Sequence, residues 1–207
     1  MHVVDDDPGM RKALGRILEA AGYAVRTYAS AGEFLLAEKA GGLACLVLDV
    51  RMPGPSGLEL QKALARDGGA LPVVFLTGHG DIPMTVRALK AGAVDFLTKP
   101  VDGKTLLAAV ETALAQAAVQ SVEREELRSL QARYEALSPR EREVFAQVVT
   151  GRLNKQIAGD IGAAERTVKA HRARVMEKMQ AGSVADLVRM AERLGPPYPP
   201  PERPTEG

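Results

Sequence analysis

Cys45-Leu46-Val47-Leu48-Asp49 is a run of four apolar residues that stops on a carboxylate. A short continuous apolar run reads as a strand buried on both faces, as in a parallel sheet. The pattern recurs on both sides of it. His2-Val3-Val4 precedes Asp5 and Asp6, Val73-Val74-Phe75-Leu76 precedes Thr77, and Phe96-Leu97-Thr98 precedes Lys99. In an open α/β sheet, ligands bind outside the carboxyl ends of the strands. Three acids, one hydroxyl and one amine are therefore expected in a single crevice. Such a set can bind a divalent metal and hold a phosphoryl group on one of its acids.

The surrounding sequence supports a sheet of this kind. Strands are expected near 2–5, 24–28, 44–49, 73–77 and 94–98, and helices near 8–21, 31–39, 58–66, 82–91 and from 103 onward. Ser30-Ala31-Gly32-Glu33 reads as a capping box opening the second helix. Strands alternating with helices predict an α/β fold with a doubly wound parallel sheet. Five such units fit the flavodoxin-like order 2-1-3-4-5, with ligand at the switch between the first and third strands. Those strands end in Asp5-Asp6 and Asp49.

No Gly or Pro occurs between Lys104 and Leu137. Leu107, Val110, Leu114 and Ala117, and then Leu127, Leu130, Tyr134 and Leu137, recur at helical spacing. This predicts a fifth helix running into a long helical linker, with its stripes packed on their own domains rather than in a coiled coil. Ser138-Pro139-Arg140-Glu141 is a second capping box, with proline at the first helical position, and marks a new domain. Four short helices follow: 139–150, a helix capped by Asn154 and ending near Gly162, about 165–179, and one capped by Ser183 that stops at Gly195-Pro196-Pro197. The resulting division is 1–119, a helical linker 120–137, an all-α four-helix domain 138–195, and a Pro-rich tail 196–207 expected to be disordered.

The 207 residues are 46% hydrophobic and 26% charged, an ordinary globular balance. No run is expected to reach the roughly 18 apolar residues of a membrane span. The start lacks a basic segment followed by a long apolar core, so a secretory signal is not expected. The single cysteine, Cys45, is read as inert core in a cytoplasmic protein. The net charge of +1 conceals an asymmetry. Residues 1–119 carry 12 Lys+Arg against 13 Asp+Glu, whereas 138–195 carry 11 against 7. A basic excess confined to the C-terminal domain points to a polyanionic partner there.

Clustered aspartates repel unless a cation lies between them, and Mg²⁺ prefers oxygen donors. The motifs Val3-Val4-Asp5-Asp6-Asp7, Leu48-Asp49-Val50-Arg51-Met52-Pro53-Gly54, Leu76-Thr77-Gly78-His79-Gly80-Asp81 and Asp95-Phe96-Leu97-Thr98-Lys99-Pro100 resemble the receiver domain of two-component response regulators. That resemblance implies that Asp49 takes a phosphoryl group from the phosphohistidine of a sensor histidine kinase. It implies Mg²⁺, with Mn²⁺ able to substitute, held by Asp5, Asp6, Asp49 and the backbone carbonyl of Arg51. Thr77 and Lys99 would bind the phosphoryl oxygens, Phe96 would be a switch aromatic, and Lys99-Pro100 would be cis. Two positions depart from the family pattern: only Met1 to Val4 precede the acids, and Val101 stands where an aromatic is common. His79, between glycines, reads as a loop residue without a catalytic part.

In the C-terminal domain, Leu153-Asn154-Lys155-Gln156-Ile157-Ala158 and Arg166-Thr167-Val168-Lys169-Ala170-His171-Arg172 resemble the helix-turn-helix of the LuxR/NarL type. The run from His171 to Ala181 resembles the FixJ branch. At about 100° per residue, Val168, Arg172, Val175 and Met179 share one side of a helix. Arg166, Thr167, Lys169, Ala170, Ala173 and Arg174 are left to face double-stranded DNA. Asn154 and Lys155 suit a phosphate contact at a helix N-terminus. Ala164 stands where a capping Ser is usual, Ala163 replaces a bulkier residue, and Gly159 weakens its helix.

These readings imply a transcription factor whose phosphorylation changes its conformation and dimerisation. Its partners would be a sensor kinase, promoter DNA, a second copy of itself when phosphorylated or DNA-bound, and RNA polymerase, with no membrane. Slow self-dephosphorylation is the most turnover expected. An aspartyl-phosphate phosphatase of the dehalogenase type is the enzyme alternative, but it wants an acid where Arg51 stands. A helix-turn-helix that docks on protein is the third reading.

Overall fold

The computed structural model describes residues 1–38, 42–66, 71–78 and 82–195. The expectations for His79 and for the tail 196–207 lie outside these residues. Contacts divide the chain into two compact units, Met1–Val122 and Glu123–Gly207.

The first unit is built on five parallel strands: β1 (His2–Val4), β2 (Arg26–Tyr28), β3 (Leu46–Asp49), β4 (Val73–Thr77) and β5 (Asp95–Thr98). Their order is β2-β1-β3-β4-β5, as the alternation of elements predicts. Apart from His2 and the end residues Asp49 and Thr77, the central strands are apolar because both faces are covered. Val3, Val47, Val74, Leu76 and Leu97 point to one side, where they meet Leu14 and Leu18 of α1 (Pro8–Ala20) and Leu106 and Val110 of α5 (Gly103–Glu135). Val4, Leu46, Leu48, Val73 and Phe75 point to the other. There they meet α2 (Ala31–Leu36), α3 (Gly57–Arg66) and α4 (Ile82–Lys90) through Phe34, Leu60, Leu64 and Ala88. Fully buried side chains such as Leu14, Leu48 and Phe75 each contribute roughly 1.5–3 kcal/mol. Four strands are shorter than the sequence suggests: β1 ends at Val4, β2 begins at Arg26, β3 at Leu46 and β5 at Asp95, and on the edge strands Arg26, Thr27 and Thr98 are exposed.

Local signals fix the helix starts. Asp7 caps α1, its Oδ1 accepting from the N–H groups of Gly9 at 2.7 Å and Met10 at 3.3 Å, with Pro8 at the first position. Ser30 caps α2 at the Glu33 N–H (3.1 Å). The return bond of that capping box runs from the N–H of Ala29, rather than of Ser30, to Glu33 Oε2 (2.6 Å).

α5 corrects two expectations. By length and composition, one 18-residue window of it is apolar enough to cross a membrane, with a mean hydropathy of 1.2, because alanines, leucines and valines fill it and few charges interrupt them. Yet Leu106, Ala109, Val110 and Ala113 are buried against the sheet, which makes its first part a core helix of the first unit. The buried face is also rotated from the expected stripe. Leu106, Ala109, Ala113 and Ala117 lie inward with Val110, whereas Leu107 and Leu114 sit half-buried on the flank. Small residues bring the helix close to the sheet, and the longer leucines cover its margins. Burial pushes the Cys45 thiol up to about 12, so it packs as an inert apolar group.

In the second unit, α6 (Pro139–Val149), α7 (Asn154–Asp160), α8 (Glu165–Met179) and α9 (Val184–Leu194) enclose Phe145, Val148, Ile157, Val168, Val175, Met179 and Leu187. Leu130, Leu137 and Tyr134 from the end of α5 and the turn after it join this core. Ser138 and Glu141 form the expected capping box, with Glu141 N–H to Ser138 Oγ at 3.3 Å and Ser138 N–H to Glu141 Oε2 at 2.8 Å. Ser183 caps α9 at the Asp186 N–H, 3.1 Å. Asn154 does not cap α7. It is the first helical residue, and the cap position belongs to Leu153, which has no acceptor. Gln156 Oε1 compensates by accepting from the Leu153 N–H at 2.9 Å.

Candidate functional site

β1, β3, β4 and β5 end side by side, and each delivers a polar residue to the same edge. Asp5 follows β1, Asp49 ends β3, Thr77 ends β4 and Lys99 follows β5. Carboxylate oxygens of Asp5, Asp6 and Asp49 all lie within 4.8 Å of one another. Asp5 is 1% exposed and Asp49 7%, whereas Asp6 is open to solvent. The Lys99 amine donates to Asp5 Oδ2 and to Asp49 Oδ2, each at 2.6 Å. Burial holds the Asp5 carboxyl above its ordinary range despite the hydrogen bond from Lys99. Burial pulls the Lys99 amine down, but its hydrogen bonds to Asp49 and Asp5 outweigh this and leave it above the usual lysine value.

Backbone groups and neighbours hold this arrangement. The Asp7 N–H donates to Asp5 Oδ1 (2.9 Å), and the Arg51 N–H donates to Asp49 Oδ1 (3.1 Å). Arg11, one turn into α1, donates from Nη1 to the Asp5 carbonyl oxygen at 2.7 Å. Thr77 is fully buried, and its carbonyl accepts from the Lys99 N–H at 2.7 Å. The Lys99–Pro100 bond is cis. Phe96 is half-buried on β5, with its ring centroid 6.1 Å from that of Phe75. The donor set fits a hard divalent cation: three carboxylates, one of them open to water.

Sequence reasoning missed three contributors: Arg11, the capping of α1 by Asp7, and Gly57. The Asp7-Pro8 step was a readable capping signal. Gly57 begins α3, and a Cβ there would meet the end of β3.

The second candidate surface lies on α8. Val168, Val175 and Met179 are buried, and Arg166, Thr167, Lys169, Ala170, Ala173 and Arg174 are exposed on the remaining face. Ala164, at the cap position, makes no side-chain hydrogen bond. Lys155 is exposed on α7, but Asn154 is half-buried and its Oδ1 accepts from Arg172 Nη1 at 3.0 Å. Arg172, read on the core side, thus reaches across to fasten α8 to α7. Asn154 serves that joint at the position read as a phosphate contact.

The comparisons agree with both halves. Residues 1–111 match the response regulator receiver domain, and residues 135–191 match the luxR family of bacterial regulatory proteins. Nodulation protein W of Bradyrhizobium diazoefficiens is 48% identical over 195 residues, covering 94% of this chain and 86% of that protein. Transcriptional regulatory protein FixJ of Azorhizobium caulinodans is 46% identical over 195 residues, covering 94% and 92%. Among solved structures, the response regulator StyR matches with a TM-score of 0.74 and 45% identity, covering 93% of this chain and 97% of that one. Full-length FixJ from B. japonicum matches with a TM-score of 0.56 and 42% identity, covering 93% and 95%. The chain therefore belongs to the two-component response regulators of the FixJ type, in which a receiver domain and a LuxR-type helix-turn-helix regulate transcription in dependence on phosphorylation.

Proposed function

We propose that Asp49 is the phosphoacceptor, and that the kinase phosphohistidine gives up its phosphoryl group as the phosphorus–nitrogen bond breaks and a bond to an Asp49 carboxylate oxygen forms. The observation that carries this reading is the shared amine: Lys99 Nζ lies 2.6 Å from both Asp5 and Asp49 at the carboxyl end of the sheet. Lys99 keeps its positive charge beside the group being transferred and can exchange a carboxylate oxygen for a phosphoryl oxygen. Asp5, Asp6, Asp49 and the Arg51 carbonyl would hold Mg²⁺, or Mn²⁺ in its place. The cation would supply positive charge against which phosphoryl oxygens and carboxylates can approach. Thr77 supplies a hydroxyl donor at the same edge, and Phe96, half-buried on the neighbouring strand β5 in register with Phe75, is the residue whose packing would report the change.

The phosphorylated receiver would form homodimers and alter DNA binding by α8 through Arg166, Thr167, Lys169, Ala170, Ala173 and Arg174. Lys155, and Asn154 through Arg172, would border that surface. A cytoplasmic location, a sensor histidine kinase as donor and contact with RNA polymerase complete the reading. The receiver is an acceptor with slow self-dephosphorylation rather than a turnover catalyst. The test is acetyl-phosphate labelling with Mg²⁺, followed by intact mass, oligomer size and duplex binding. Labelling by one phosphoryl group in wild type and none in Asp49→Ala is expected. Full labelling of Asp49→Ala removes the assignment.

A further inference from the structure

The end of α5 is fastened to the far end of α8, which no sequence motif announced. Arg133 Nη1 donates to the carbonyl oxygen of Met179, the last residue of α8, at 3.1 Å, and to Gln180 Oε1 at 3.5 Å. A helix leaves its last carbonyls without intrahelical partners and carries partial negative charge at that end. The guanidinium answers both. Gln180 follows with φ 56°, left-handed backbone that a residue with a Cβ adopts at a cost. The tie is returned from α8, where Lys178 Nζ donates to the Ala136 carbonyl at 3.1 Å. Below these bonds, Leu130 is 2% exposed and the Tyr134 ring stands edge-on to Phe145 at 5.4 Å. The luxR family match begins only at residue 135, so Arg133 and Leu130 lie outside it.

We infer that the DNA-binding unit of this protein includes the second half of α5, and that Arg133 is a positioning residue that sets the C-terminal end of α8 and thereby the base discrimination of its exposed face. This rests on the reading of α8 as the DNA-contacting helix. Arg133 acts through α8 and not by touching DNA. It fixes the end of the helix opposite to Arg166, so that Ala170, Ala173 and Arg174 meet the groove at one depth. A tilt about an unfastened end would change base contacts more than phosphate contacts, because base edges demand closer geometry.

The test uses the full chain and two duplexes: one that the wild-type chain enriches from a random-sequence pool, and a scrambled duplex of the same length. Arg133→Ala is expected to lower the preference for the enriched duplex about five- to tenfold, the scale of one good base contact, with little change on scrambled DNA. Arg133→Lys, which keeps a charged donor, is expected to recover part of it. Arg128→Ala, on the exposed side of the same helix and paired with Glu125 at 3.8 Å, is expected to keep the full preference. Preference unchanged in Arg133→Ala, or affinity lost equally on both duplexes, overturns the inference. If Arg133→Ala does not fold, Arg133→Gln and Arg133→Lys decide by the same ratio. Lys169→Ala separates the two levels. If it leaves the enriched duplex bound as before, the reading of α8 fails; if it weakens binding while Arg133 variants discriminate normally, only the positioning fails.

Discussion

A Cβ on Gly57 would stand 2.3 Å from the backbone carbonyl oxygen of Asp49. It would also come within 3.1 Å of the Leu48 and Phe75 side chains, while the Gly57 N–H bonds the Val50 carbonyl at 3.1 Å. Backbone at the end of β3 cannot swing away as a side chain can. Gly57→Ala is therefore expected to lower receiver stability by about 1–3 kcal/mol through overpacking and to slow phosphorylation of Asp49. Urea unfolding of the receiver and the rate of acetyl-phosphate labelling check this. Unchanged values in both would show that α3 can retreat freely.

Glu141 is 3% exposed, yet Lys178 Nζ at 2.7 Å and the Ser138 N–H hold its carboxyl down, from an ordinary 4.5 to about 2. The folded form therefore binds a proton less readily than the unfolded form. Its contribution to stability is complete above pH 4.5 and is lost as pH falls toward 2. Amide hydrogen exchange of Val144 to Val148, measured through that window, is expected to accelerate more in wild type than in Glu141→Gln. Equal acid sensitivity in the two proteins would exclude Glu141 as the source.

Ala164 holds the extended cap conformation of α8, φ −71° and ψ 145°, without an acceptor. Ala164→Ser places a hydroxyl where it can accept from the Thr167 N–H. The expected gain is about 1 kcal/mol in unfolding of the DNA-binding unit, read by thermal melting. A loss of stability would mean that the hydroxyl finds no donor there.

Lys169 is exposed at mid-helix on α8, with Arg166 and Arg174 on the same open face. Lys169→Ala is expected to weaken duplex binding and to reduce the slope of log affinity against log salt by about one, as for a single phosphate contact. A parallel salt titration of both proteins measures it. An unchanged slope with weakened affinity would assign Lys169 to base reading instead.

The sheet and its polar edge were legible because a buried parallel strand has no alternative to a continuous apolar run. Asp49 and Thr77 end such runs, and Asp5 and Lys99 directly follow them, so strand geometry alone brings them together. Helix starts at Pro139 and Val184 were legible from one local residue each, Ser138 and Ser183. What escaped was set by distance in sequence. Arg133 meets Met179 46 residues away, and Lys178 meets Glu141 37 residues away, so no spacing rule relates them. Asn154 escaped for the opposite reason: its type suits a cap, but its bond with Arg172 of α8 decides its place. The inward face of α5 was misjudged by one residue because leucines outrank alanines in any hydropathy pattern, although alanines allow the closest approach.

Lys99 is separated from Asp49 by 50 residues and from Asp5 by 94, and it follows the last strand of the sheet. During synthesis, the acids that follow β1 and end β3 leave the ribosome before the amine that joins them exists. A chain halted before residue 99 holds the aspartates without their shared cation, with mutual repulsion in place of attraction. The acid cluster is therefore balanced only once the fifth strand has been made, so the charge that steadies the N-terminal carboxylates is held back until the last strand of the sheet that frames them exists.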